Sequence, residues 1–421
     1  MPDPHIVTFG CRLNSLESEI IRAEAAAADA GDAVVINTCA VTGEAVRQAR
    51  QAIRRLRRER PESRIIVTGC AAQLEPDAFA AMAEVDRVLG NAEKLHRRHY
   101  APAESDGAGV GGERVVVSDI MSAPEATVSP VDEFDGRSRA MVQIQQGCDH
   151  RCTFCAIPFA RGPNRSVPPD RIVDQVRILV ERGYPEVVLT GVDICSYGGD
   201  RAGGPTLAGL VRTLLAAVGD LRRLRLSSLD PAAIDRDLVA LMSEEARLMP
   251  HAHLSLQAAD DMVLKRMKRR HTRAGALTTI DALRRARPDI AFGADLIAGF
   301  PTETEAMFAN TLSFISEARL TYLHVFPFSP RPDTPAARMP AVPGPVRRER
   351  AAVLRRAGAA ATAAHFHGRI GDRVEVAVEN ERTGRCPDFA PVALDFAARP
   401  GEIIPAHIVG ATPAHLIGAR A

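Results

Sequence analysis

Residues 140–155 read Ala140-Met-Val-Gln-Ile-Gln-Gln-Gly147-Cys148-Asp-His-Arg-Cys152-Thr-Phe-Cys155, a short apolar run leading straight into three cysteines. The run from Met141 to Gln145 reads as a strand and is the first of a series. Further β-type runs lie at Glu186 to Thr190, Arg222 to Leu226, His253 to Leu256, Ala291 to Leu296 and Tyr322 to Phe326, each followed by a helical stretch. Repeated strand–helix steps of this kind predict an α/β fold built as a partial or complete barrel. They put the cysteine loop at the carboxyl end of its first strand, where barrel enzymes do chemistry. The Pro-rich run Phe328 to Pro345 ends the series, and an Ala/Arg-rich helix follows to about His367.

Upstream, strands and helices also alternate. His5 to Phe9, Ala33 to Asn37 and Arg64 to Thr68 read as strands. Helices are expected from Asn14 to Ala30, with Asn14 as cap and Glu17 three residues on, from Gly43 to Arg60, and after Pro76. The alternation means parallel strands with helical crossovers. Residues 101–137 carry little periodicity and read as a linker with one strand, Arg114 to Val117. The final residues, 367–421, alternate near Arg373 to Val378, Pro391 to Phe396 and Ile403 to Val409, as a small antiparallel β-barrel would. The domains are therefore expected at 1–100, 138–366 and 367–421.

The chain has 421 residues, 46% hydrophobic and 25% charged, which suits several folded cores and excludes a disordered tail. With 53 basic against 52 acidic side chains there is no uniformly basic coat, so any nucleic-acid contact must come from local patches. Lysine occurs only at Lys94, Lys265 and Lys268. No apolar run is long enough to span a bilayer and the first residues lack a secretion signal, so a cytoplasmic protein without membrane contact is expected. In that compartment eight cysteines point to metal or catalytic use rather than disulfides.

Cys148, Cys152 and Cys155 form a C-x3-C-x2-C pattern in one loop. Three thiolates there can hold a four-iron cluster with one iron left open; zinc with His150 as fourth ligand is the alternative. Cys11, Cys39 and Cys70 are far apart in sequence, but each ends an expected strand, and an open parallel sheet brings such ends to one edge where ligands bind. Cys195 and Cys386 read as free buried thiols.

The C-x3-C-x2-C loop, with Phe154 before its last cysteine, resembles the signature of radical S-adenosylmethionine (radical SAM) enzymes. The dispersed cysteines in front of it resemble the methylthiotransferase branch, as do Thr8-Phe-Gly-Cys-Arg-Leu-Asn14, Ala156-Ile-Pro-Phe-Ala-Arg-Gly162, Leu189-Thr-Gly-Val192 and Gly299-Phe-Pro-Thr-Glu303. Asn37-Thr-Cys-Ala-Val-Thr42 and Arg161-Gly-Pro-Asn-Arg-Ser166 most resemble the tRNA enzymes acting on N6-threonylcarbamoyladenosine. The sister activities, on isopentenyladenosine in tRNA or an aspartate of a ribosomal protein, share the six cysteines. A non-catalytic, metal-stabilised RNA-binding protein is the alternative of a different class.

The resemblance implies two [4Fe–4S] clusters. Cys148, Cys152 and Cys155 would ligate the one that binds and cleaves SAM, a step that needs an electron donor. Cys11, Cys39 and Cys70 would ligate an auxiliary cluster in a methylthiotransferase domain; it delivers sulfur and needs a sulfur source for replenishment. It also makes residues 367–421 similar to the RNA-binding TRAM domain. Phe154, Thr190, Gly191, Ser227, Gln257 and Asp295 are candidate SAM or substrate contacts, with ordinary packing, polar satisfaction or, for Asp295, a helix cap as the alternatives. For the anticodon stem-loop of tRNA, Arg54, Arg57 and Arg58 on the Arg-rich helix, Arg161 and Arg165 after the cysteine loop, and the basic runs at 265–273 and 347–356 are candidate contacts. In each case a solvated face or a carboxylate partner is the alternative.

Overall fold

A computed structural model describes residues 4–101, 113–123, 126, 131, 134 and 138–421. The chain divides into two compact units. The first takes the described residues up to 131 with Gln145–Arg151 and Cys155–Val167; the second takes Phe134–Ile144, Cys152–Phe154 and Pro168–Ala421.

The first unit is a parallel five-stranded sheet in sequential order: β1 (His5–Thr8), β2 (Val34–Thr38), β3 (Ile65–Gly69), β4 (Arg87–Leu89) and β5 (Val115–Val116). β2 and β3 are buried along their whole length, as apolar runs covered on both faces must be. Alternation sorts their side chains. Val34, Ile36, Ile65 and Val67 pack on one face with Val46, Ile53 and Leu56 of α2 (Gly43–Glu59), whereas Val35 and Ile66 pack on the other with Ile21 and Ala25 of α1 (Arg12–Ala27). The α2 stripe recurs at three- and four-residue steps, and the Thr42 hydroxyl caps the helix by accepting from the Ala45 amide. Removing Ile53, which is fully buried, costs about 2–5 kcal/mol for Ile→Ala.

One local expectation fails here. Asn14 is no cap: Cys11 takes that position, and Asn14 is buried one turn in, donating to the Phe9 carbonyl at 2.7 Å and the Thr38 carbonyl at 3.0 Å. The cysteine ending β3 opens a short helix, α3 (Cys70–Leu74), and the helix after Pro76, α4 (Pro76–Ala80), has only five residues. β4 has no counterpart in the sequence reading, and β5 falls in the expected linker yet completes the sheet.

In the second unit, β6 (Arg139–Gln143) starts a parallel series. Gln145–Arg151 and Cys155–Val167, on either side of Cys152–Phe154, belong to the first unit and carry the hairpin of β7 (Gln145–Gln146) and β8 (Arg165–Ser166) with α5 (Ile157–Arg161) between its strands. It then continues with β9 (Glu186–Thr190), β10 (Arg223–Leu226), β11 (Ser228–Leu229), β12 (His251–Gln257), β13 (Ala291–Ala298) and β14 (Tyr322–Pro327). Order β10-β9-β6 and order β11-β12-β13-β14 give two parallel sheets, with β11 following β10 across Ser227. The 24-residue helix Gly344–His367 leads into a closed barrel of β15 (Arg373–Asn380), β16 (Thr383–Arg385), β17 (Pro391–Leu394), β18 (Ile403–Ala411) and β19 (Leu416–Arg420). It departs from the antiparallel expectation at one ladder, because β17 pairs parallel with β19.

This small barrel docks on the amino ends of the large strands. Arg225 forks onto the fully buried Glu186 at 2.7 and 3.2 Å and also donates to the Pro387 carbonyl; Arg223 donates to the Glu375 carbonyl. Burial alone would raise the Glu186 carboxyl, but Arg225, Arg139 and Arg223 outweigh it and hold it low. Phe389, at φ +76°, stacks on His251 and lies against the guanidinium groups of Arg139, Arg225 and Arg385. With the amino ends covered, the carboxyl ends are left for chemistry.

Candidate functional site

In the first unit, three strand ends carry thiols. Cys11 lies just beyond β1, Cys39 follows β2, and Cys70 follows β3. The register, with Thr8 beside Asn37 and Thr38 beside Gly69, sets them along one carboxyl edge. All are free thiols; Cys39 and Cys70 are buried and Cys11 is exposed. At Gly10, φ +105°, an added Cβ would lie 2.7 Å from the Cys39 Cβ and 2.8 Å from its Sγ, so only glycine allows this approach. Burial pushes the Cys39 thiol up to about 12, and the neighbouring Cys70 and Cys11 act in the same direction.

Arg161, at the end of α5, is 2% exposed beside them. Its Nε donates to Cys70 Sγ at 3.1 Å, Nη1 to Glu17 Oε1 and Gln146 Oε1, and Nη2 to Asn14 Oδ1 and Glu17 Oε2. Lys94 donates to the same Glu17 at 2.6 Å and to Asn91 at 2.7 Å. Burial would raise the Glu17 carboxyl, yet the two cations hold it at about 2. Two buried cations therefore face one carboxylate, and the surplus positive charge lies against Cys70. Three sulfur ligands beside an unbalanced buried cation suit an anionic iron–sulfur centre better than a neutral thiol core.

Cys148, Cys152 and Cys155 are half-buried free thiols outside helix and strand. The Cys148 amide is anchored in the first unit by the Gly162 carbonyl at 3.0 Å. In the second unit, Arg269 donates to Cys152 Sγ at 3.5 Å while bonding Asp230 and the Ser255 carbonyl. The Thr153 hydroxyl bonds the Arg266 carbonyl at 2.7 Å. The Phe154 ring packs edge-on against Phe300 at 6.4 Å.

Thr190 and Ser227 are buried at the carboxyl ends of β9 and β10, Gly191 is half-buried, and Gln257 ends β12 at φ +70°. Asp295 lies inside β13 rather than at its end, and it is not a helix cap. Its Oδ1 is 3.0 Å from His253 Nε2 and 3.3 Å from His324 Nδ1. These hydrogen bonds overcome burial and hold the carboxyl well below the usual range. The two histidines were not anticipated. The alternation His251-x-His253-x-Ser255-x-Gln257 marks one face of β12, but only the sheet register brings His253 and His324 to one oxygen. On β14, His324 and Phe326 are both exposed, so the trio borders open space. Two imidazoles and a carboxylate can bind a polar substrate edge, hold a proton or ligate a cation.

A radical SAM superfamily model matches residues 142–315, and the uncharacterised protein family UPF0004 matches residues 4–90. The chain is 49% identical over 405 residues to the threonylcarbamoyladenosine tRNA methylthiotransferase MtaB of Rickettsia prowazekii (strain Madrid E), covering 96% of this chain and 94% of that protein. This chain belongs to the radical SAM methylthiotransferase family. It is an enzyme, a transferase, and membership implies a [4Fe–4S] cluster and SAM. A tRNA-2-methylthio-N(6)-dimethylallyladenosine synthase of Erythrobacter litoralis (strain HTCC2594) is 34% identical over 98% of this chain and 96% of its own. The methylthiotransferase also shares its fold with the radical SAM methyltransferase TsrM from Kitasatospora setae, at TM-score 0.54 and 14% identity, over 80% of this chain and 77% of that one.

In the methylthiotransferase several of the arginine candidates for RNA contact have protein partners. Arg161 and Arg165 are buried: Arg161 has the carboxylate partner Glu17, the alternative to a phosphate, and Arg165 donates to the Arg161 carbonyl at 2.6 Å. Arg57 is tied to the carbonyls of Pro61, Ser63 and Glu84 and to Asp86, fastening α2 to its own unit. In the later runs, Arg269 and Arg270 serve Asp230, Arg273 pairs with Glu317 and Arg350 with Glu303. Arg54 and Arg58 remain exposed; with Arg55, Gln48, Gln51 and Phe9 they line a groove of about 610 Å³. Among the described residues, no helix of the methylthiotransferase is long and apolar enough to cross a membrane.

Proposed function

We propose that the enzyme inserts a methylthio group at C2 of N6-threonylcarbamoyladenosine, beside the anticodon of cytoplasmic tRNA. The observation that carries this reading is the near full-length identity with the Rickettsia protein; the two groups of free thiols support it. Cys148, Cys152 and Cys155 would hold the SAM-binding cluster, and Cys11, Cys39 and Cys70 a second one. When bound, these groups supply the radical needed to remove an unactivated hydrogen, and the sulfur that replaces it.

The protein's own part is binding, orientation and exclusion of water. Arg269 and Thr153 fix the loop around Cys152. Thr190, Gly191, Ser227 and Gln257 offer backbone and polar groups to SAM from the strand ends, while Phe154 walls the site from the core side. The His253–Asp295–His324 trio presents hydrogen bonds toward the substrate. The groove with Arg54 and Arg58 offers cations and one aromatic face, a combination suited to a nucleic-acid backbone and an unstacked base. Residues 1–100, 138–366 and 367–421 would act as sulfur-delivery, radical and RNA-binding domains around the linker 101–137, served by an external electron donor and sulfur source.

The test is nucleoside mass spectrometry of tRNA from a bacterial host that lacks its own tRNA methylthiotransferases and expresses this chain. Appearance of the 2-methylthio derivative of N6-threonylcarbamoyladenosine is expected. Appearance of the dimethylallyl product alone, which the Erythrobacter similarity favours, would reassign the substrate. No new nucleoside, from protein loaded with iron, would exclude tRNA.

A further inference from the structure

We infer that Arg161 is a positioning residue that sets the charge and reduction potential of the centre held by Cys11, Cys39 and Cys70. The inference rests on the reading that these thiols ligate an iron–sulfur cluster. A guanidinium has five N–H groups, and here each has a partner. Four go to Glu17, Asn14 and Gln146, which fix the plane of the group, and the fifth points at Cys70 Sγ from 3.1 Å. Such a fork loses little on reduction because it is already in place. Arg161 and Glu17 are 2% and 0% exposed, so solvent does not screen the charge.

The charge count gives the direction. Arg161 and Lys94 supply two positive charges and Glu17 one negative, leaving one positive charge beside the sulfur. A reduced cluster carries one more negative charge than the oxidised form. Donation to a ligating sulfur and a nearby cation therefore favour the reduced form and raise the potential. Among the described residues Lys94 donates to Glu17 and Asn91 and to no sulfur, so its removal cancels the surplus while leaving Arg161 all of its own partners. A purely structural ion pair would stabilise the fold and leave the potential unmoved.

The experiment uses the full chain carrying Cys148→Ala, Cys152→Ala and Cys155→Ala, so that only the second centre can load. Iron and sulfide are quantified, and the potential is titrated by electron paramagnetic resonance. In Arg161→Gln, the reduced-to-oxidised ratio at a fixed applied potential should fall at least tenfold, which is 59 mV for a one-electron couple. Lys94→Met should shift it in the same direction by less. Unchanged potentials in fully loaded variants would overturn the inference while leaving the cluster reading intact. If Arg161→Gln loads no iron, Lys94→Met decides, and an unmoved potential there overturns the inference. A parent triple variant without iron would overturn the cluster reading itself, and the inference with it.

Discussion

The carboxylate of Asp295 accepts from His253 at 3.0 Å, joining β13 to β12 on the face that also carries exposed His324 and Phe326. Both histidines depend on one oxygen, so a neutral amide there weakens two orientations at once. Asp295→Asn should lower kcat/KM for methylthio product by about 10- to 100-fold, the range for a lost orienting partner, with Tm changed by only a few degrees. Full activity in a folded variant would show that the trio is structural.

The two cysteine groups should separate by function. Cys148→Ala should abolish 5′-deoxyadenosine formation from SAM, and Cys11→Ala should retain it while losing methylthio product. Each variant should also lose about four irons if each group holds a four-iron cluster. Product formation by Cys11→Ala would break this division of labour.

The barrel strands were readable because parallel strands buried on both faces appear as apolar runs, and Glu186–Thr190 was located to the residue. β4, three residues long, is too short for any period to show, whereas β5 lies within the strand expected at Arg114 to Val117. Asn14 and Glu17 had the spacing of a helix cap, but their partner is Arg161, more than 140 residues away. Local spacing could not reveal that contact, which gives Arg161 the carboxylate partner that stood as the alternative to phosphate. The thiols of Cys11, Cys39 and Cys70 were readable as a group only because each follows an apolar strand in a parallel sheet.

Glu17 also makes a prediction in pH. Its carboxyl is held at about 2 against an ordinary 4.5, so its contribution is complete above pH 4.5 and is lost as pH falls toward 2. The amount is at most about 3 kcal/mol. Urea unfolding of wild type should weaken across that window, whereas Glu17→Gln should start lower at pH 7 and change less on acidification. Parallel pH curves would contradict the ion-pair account.

Phe389 closes the interface between the small barrel and the amino ends of the large strands, against three guanidinium groups. Phe389→Ala should cost about 3 kcal/mol in unfolding free energy through lost packing and cation–π contact. Because its φ is +76°, Phe389→Gly should be the more stable of the two truncations. The reverse order, measured by denaturant melts, would mean that the left-handed backbone carries no strain.

Arg54 and Arg57 lie three residues apart on α2 with opposite expected roles. Arg54 has a side chain 53% exposed and, among the described residues, pairs only with Glu84, at 4.0 Å, whereas Arg57 has its donors spent on carbonyls and Asp86. If the groove holds tRNA, Arg54→Ala and Arg58→Ala should each weaken binding and lower the slope of log affinity against log salt by about 1. Arg57→Ala should leave the slope alone and lower Tm instead. Filter binding across a salt series, with thermal melts of the same proteins, separates the two effects. If slope and Tm fell together in all three variants, α2 would be a structural helix whose charge never touches RNA.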